Sequence, residues 1–240
     1  MHTPTQGGRF ATTRWSVVVA AGQKAGGDDA RAALETLCRT YWYPLYVYAR
    51  RKGHAAEDAA DLVQGFFASL LERRAVARAD RERGRFRSFL LASLDHYLAN
   101  EWRRATAQKR GGGAVLVGLD FDDGERRYGL EPSHHLTPDR VYERRWALTL
   151  IDAAMGRLRA EYQARDRGDL FATLAGLISG ERDEAYAGVA GRLGMSEGAV
   201  KVAVHRLRKR CRELLREEVA QTVAGEAQVD DELGHLLDAV

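Results

Sequence analysis

Cysteine is scarce in this chain: 240 residues carry two, Cys38 and Cys211. They are far apart, each inside an apolar helical pattern, with no neighbour at pairing or ligand spacing. That excludes a disulfide framework and a cysteine metal site, and predicts two small buried residues of a reducing compartment. Long apolar runs are missing too, so no stretch reaches the length of a membrane span. The start, MHTPTQGGRF, lacks the charged-then-apolar layout of a signal peptide, and a cytoplasmic location is expected. Neither sign of charge dominates: 37 basic against 34 acidic residues leave +3, too little to name a partner. No internal repeat is visible.

Catalytic equipment is equally thin. Gly111–Gly113 has neither the lysine nor the hydroxyl that a phosphate-binding loop needs. His134–His135 has no plausible set of acidic or cysteine partners and reads as a solvated pair. Glu57, Asp58 and Asp61 share a helix face, but no histidine or further carboxylate converges on them in sequence. The expectation is a protein that is not an enzyme and uses no cofactor and no metal.

What is present is a globular composition, 45% hydrophobic and 30% charged, which excludes wholesale disorder. The length gives room for one large or two small domains, each with a core. Residues 1–29 form an N-terminal extension; within it Thr13 caps a short helix, or Val17–Val19 form a strand. GGDD at 26–29 breaks the pattern and supplies an N-cap, Asp28 or Asp29. Leu34, Leu37, Tyr41, Trp42, Leu45 and Tyr46 then mark a helix to about Arg50, which Pro44 should bend or divide and Gly53 ends. Ala59, Leu62, Val63, Phe66, Phe67, Leu70 and Leu71 mark a second helix, from Ala55 to about Arg74. A charged loop at 79–88 leads to a third, through Phe89, Leu90, Leu94, Tyr97, Leu98 and Trp102. These make a first domain, 30–105. Residues 106–137, with GGG, DDG and Pro132, and Pro138 just beyond, read as a flexible linker in which VLVGLDF forms at most a short extended piece. Thr137–Pro138, a cap followed by proline at the first helical position, opens a second domain at 138–218. The acidic tail, 219–240, carries Val229, Leu233, Leu236, Leu237 and Val240 at amphipathic spacing.

Two blocks bear on function. In the first, Val189, Ala190 and Leu193 face one way on a short helix, and Gly194 stands where a left-handed turn residue belongs. Ser196 is a predicted N-cap and Glu197 opposes the helix dipole. Val200, Val204, Leu207, Cys211 and Leu214 then form the buried stripe of a second helix, and Lys201, His205 and Arg208 repeat on another side. Lys209, Arg210 and Arg212 continue the charge with no acid between. This is the plan of a helix-turn-helix that reads the major groove, weighed against an ordinary helical hairpin with a solvated basic face. In the second block, Arg85, Arg87, Arg103, Arg104, Lys109 and Arg110 bracket Phe86, Phe89, Tyr97 and Trp102. Such a mixture suits single-stranded DNA, with arginine on phosphates and aromatic faces on bases. The bland alternative, core aromatics and solvated arginines, is preferred for Phe89 and Leu90 and stays open for Asn100, Trp102, Arg103 and Arg104.

DAADLVQGFFASLLE at 58–72, FRSFLLASLDHYLANEWRR at 86–104 and the helix-turn-helix follow in an order that resembles a bacterial sigma factor of the ECF (extracytoplasmic function) class. The most specific parts are Asp61, Leu62, Gln64 and Phe67 in D-L-x-Q-x-x-F spacing, and the string Y-x-x-x-A-x-x-L-G-x-S-x-G-x-V-K from Tyr186 to Lys201. The resemblance covers about 30–105 and 141–218. It implies an all-α fold of two small helical domains, region 2-like and region 4-like, on a flexible linker. It implies that Asp58, Asp61, Leu62, Gln64 and Phe67 bind the β′ clamp helices of core RNA polymerase, with the β flap as a second contact. Arg85, Arg87, Asn100, Trp102, Arg103 and Arg104 fall where the family melts the minus-ten element and flips a base. Ser196, Lys201, Val202, His205, Arg206, Arg208 and Lys209 fall where it reads the minus-thirty-five element, the last three mostly on phosphates. Promoter DNA is thus a partner, a membrane is not, and an anti-sigma protein is left open. Gly65 departs from the family by replacing an acid, and Val202 and Ala203 by being apolar where polar readers are common, which points to thymine methyl contacts. The tail is expected to be a structural cap, with a role in holding the protein inactive as the lesser option.

The alternative is a helix-turn-helix transcriptional regulator that binds duplex DNA without core polymerase. One such module has a small interface and needs a dimer or ligand domain to gain affinity. No coiled-coil heptads supply it, and the aromatic-basic block would then have no use.

Overall fold

The computed structural model describes residues 28–72, 85–107, 119–130, 136–178 and 183–240. The extension before Asp28, most of the charged loop at 79–88, residues 115–118, the triple glycine, Lys109, Arg110, His134 and His135 lie outside these. Among the described residues the regular structure is all helical: α1 Asp28–Arg51, α2 Ala56–Glu72, α3 Phe86–Ala107, α4 Phe121–Gly129, α5 Pro138–Gln163, α6 Gly168–Ala175, α7 Asp183–Leu193, α8 Glu197–Ala220 and α9 Val229–Asp238. No helix there is long and apolar enough to cross a membrane.

The punctuation read from the sequence holds at several ends. Gly53 takes φ +97° after α1, a conformation a Cβ opposes. Thr137 caps α5, its Oγ1 accepting the Arg140 N–H at 3.3 Å, with Pro138 next. Pro44 does not divide α1, which runs unbroken from Asp28 to Arg51. The aromatic residues around the proline are all buried, so tertiary packing holds that turn in place of the missing backbone bond.

Two cores form. The first joins Tyr41, Leu45, Val63, Phe66, Phe86, Leu90 and Leu94 from α1, α2 and α3. The second joins Leu158, Phe171, Leu174, Val189, Val200, Val204 and Leu207 around the α7–α8 pair. The boundary that composition places at 137/138 is not visible in the packing. The front of α5 enters the first core through Val141, Tyr142, Trp146 and Leu150, and its back enters the second through Ala154 and Leu158. Trp146 stacks on Tyr41 with ring centroids 4.3 Å apart, and the Tyr142 hydroxyl donates to the Arg87 carbonyl at 2.9 Å. Helix α8 crosses in the same way, with Leu214 in the second core and Val219 in the first.

Within the stretch read as a linker, residues 121–129 form a docked helix. Asp120 caps it, accepting the Asp123 N–H at 2.9 Å, and acids in its first turn and Arg126–Arg127 in its last suit the dipole. Gly124 is buried there, and the close approach needs a glycine, since a Cβ would stand 2.6 Å from the Trp42 ring. Phe121 packs edge-on to Trp42, Arg127 lies 3.8 Å over the Tyr43 ring, and Glu125 receives two bonds from Arg50 at 2.7 and 3.0 Å.

Candidate nucleic-acid interface

The turn between α7 and α8 is built by local chemistry. Gly194 has φ +61°, and the Met195 N–H closes on the Ala190 carbonyl at 3.0 Å, the left-handed helix ending that glycine allows. Ser196 Oγ accepts the Ala199 N–H at 3.2 Å and starts α8. Val200, Val204, Leu207 and Leu214 are buried, which forces the opposite face outward. Lys201, Val202, His205, Arg206 and Lys209 are exposed there. The Lys201 ammonium lies 5.7 Å from the centre of the Tyr186 ring, so α7 helps orient it. Tyr186 entered the sequence reading only as the start of a motif.

Arg208 departs from the expected phosphate role. Its Nη2 and Nε donate to the carbonyls of Leu177 and Ile178 at 2.6 and 3.1 Å. Those carbonyls follow the end of α6, where backbone acceptors lack helical donors. Arg210 also turns away: it pairs with Glu161 at 2.7 Å and Glu213 at 3.1 Å. The hydrogen bond from Arg210 pulls the Glu161 carboxyl below its usual pKa. Glu213 stands three residues on along α8, a pairing that helical spacing gives, but Glu161 lies on α5 and spacing alone gave no sign of it. Burial raises the pKa of the half-buried Cys211, as expected of a packing residue.

The candidates on α3 do not form one patch. Arg85 and Arg87 stand at its start and Asn100, Trp102 and Arg103 near its end, roughly 20 Å further at ~1.5 Å per residue. Asn100 and Arg103 are exposed, and Trp102 is 71% exposed, which removes it from the core. Arg104 lies on the same helix. The other end is occupied. Arg87 is only 6% exposed; its Nε meets Glu232 at 2.8 Å and its Nη1 meets Glu143 at 2.6 Å. Burial opposes the Arg87 charge, yet the bonds from Glu232 and Glu143 hold its pKa above the usual value. Arg85 reaches Asp231 at 2.5 Å and Glu232 at 2.8 Å. Phe89 is partly buried and Leu90 fully, as the core reading has it.

On α2, Asp58 and Asp61 are exposed, and Leu62 and Gln64 are half-buried beside them. Phe67 does not join them. It is 2% exposed, inside the first core against Phe66, and cannot reach a partner in this conformation. Its place in the motif is a packing place, since positions six apart lie on different faces of a helix. Gly65 has a structural reason of its own: a Cβ there would collide with the Tyr97 hydroxyl, so the missing acid leaves room for α3.

No protein-family model, curated protein or solved structure matches the chain, so the residues themselves carry the functional argument.

Proposed function

We propose that this protein is a sigma factor of the ECF class, which binds core RNA polymerase, recognises two promoter elements and opens DNA without catalytic residues of its own. The observation that carries the reading is the exposed face of α8. Lys201, His205, Arg206 and Lys209 lie outward on a helix capped by Ser196 and set by the Gly194 turn. That is the geometry a recognition helix needs in the major groove. The exposed Asn100–Trp102–Arg103 end of α3 supports a second contact, with an unpaired strand. The exposed acids Asp58 and Asp61 on α2 support a polymerase contact separate from both.

The test is a division of labour. Lys201→Ala is expected to weaken duplex DNA binding and leave core polymerase binding intact. Asp61→Ala is expected to weaken core binding and leave free DNA binding intact. Equal loss of both activities in either variant contradicts the reading.

A further inference from the structure

The three consecutive acids that open α9, Asp230, Asp231 and Glu232, are all spent on arginines. Asp231 and Glu232 take Arg85, Glu232 also takes Arg87, and Asp230 takes Arg216 of α8. We infer that α9 is an intramolecular occupant of the Arg85–Arg87 site, which a single DNA strand displaces when its phosphates take over the two guanidinium groups. The inference rests on the sigma-factor reading and on taking Arg85 and Arg87, in addition to the exposed end of α3, as single-strand contacts.

The chemistry of the contact suits exchange. A guanidinium fork that donates to a carboxylate also suits a phosphate, so the tail and a strand compete for the same donors. Asp231 is 68% exposed at the edge of the cluster, where a strand gains its first hold. The interior of the cluster is a poor device for stability alone. Glu232 is fully buried against Arg87, and apolar residues of similar volume hold such a position as well or better.

The occupant is also built to leave. Helix α9 has ten residues, too few to persist alone in water. Its apolar anchors are Val229 and Leu236, with Leu233 partly covered. Displacement reaches the other DNA-facing element directly. The Arg216–Asp230 pair ties the tail to α8, and the Phe86 N–H at the start of α3 donates to the Thr222 carbonyl just after α8 at 2.9 Å. One short segment therefore clasps the starts of α3 and α9 to the end of the recognition helix.

The experiment uses the full chain and a fluorescent single-stranded oligodeoxynucleotide. Asp231→Asn with Glu232→Gln is expected to tighten oligonucleotide binding by about 5- to 150-fold, the usual range of coupling between two sites. Adding Arg85→Ala should remove the gain. In the wild-type chain, amide exchange across 229–238 should speed up when the oligonucleotide saturates, a response that a purely structural cap does not give. That second measurement decides the matter if the double variant does not fold. Unchanged or weaker affinity in a folded variant, or continued protection of 229–238 under bound oligonucleotide, overturns the inference. If Lys201→Ala still weakens duplex binding in that case, the promoter-binding reading stands without it. If neither single strand nor duplex binds the wild type or the variant, both fall.

Discussion

Arg208 and Lys209 are sequence neighbours with the same charge and different work. Lys209 is exposed on the face with Lys201 and His205, whereas Arg208 binds the carbonyls after α6. Lys209→Ala is expected to leave the melting temperature unchanged and reduce the salt slope of duplex binding by about 1. Arg208→Ala is expected to cost about 1–3 kcal/mol of stability, towards the lower end because the two stranded carbonyls are only partly buried, with the salt slope unmoved. Thermal melts and salt titrations of the two variants check the contrast; a lower salt slope in folded Arg208→Ala would return it to the interface. The exposed side of α8 was legible from its apolar stripe, because 3.6-residue periodicity fixes which positions face out. What Arg208 does was not legible, since its acceptors lie about thirty residues upstream on another element. Phe67 shows the same limit in reverse: a motif position carries no statement of which way the ring points, and the core takes it.

At the scale of elements, α4 is the instructive case. Its acids, glycines and short length read as linker, although its cap Asp120 and charge order are local helix signals. Nothing local announces its partner, the aromatic face of α1 at Trp42, Tyr43 and Tyr46, nearly eighty residues away. The docking gives a pH dependence with a definite sign. The bond from Arg50 holds the Glu125 carboxyl below its ordinary value of 4.5. A carboxylate depressed in the folded state contributes stability that is present above its unfolded pKa and lost as pH falls through the folded one. Helix α4 should therefore loosen from α1 below about pH 4.5, read by tryptophan fluorescence from Trp42. Glu125→Gln should remove that acid transition; a fluorescence change that persists in the variant would assign it elsewhere. The α7–α8 pair and its turn were far more legible, because turn glycine, cap and stripe are all local signals.

Across the whole molecule, α5 and α8 each take part in both cores, so the two halves share structural beams. Apolar periodicity marked the longer helices, but composition separated 138–163 from the first domain because the preceding residues carry turn and loop signals. Packing follows the aromatic pairs, Trp146 on Tyr41 above all, and these were written into two distant segments. Trp146→Ala is expected to cost about 3–5 kcal/mol. Through α5 it should also raise amide exchange in the α7–α8 pair, while the conservative Trp146→Phe should spare it. Exchange confined to α1–α3 would mean that the cores unfold independently.

The central claim, promoter-directed initiation, is tested most directly by adding the 240-residue chain to core RNA polymerase and mapping run-off transcripts on a genomic promoter library. The account predicts a stable complex and new start sites that share two sequence elements; Lys201→Ala should weaken the new start sites and leave the complex, and Asp61→Ala should weaken both. Tight duplex binding with no association with the polymerase and no new start sites would contradict it.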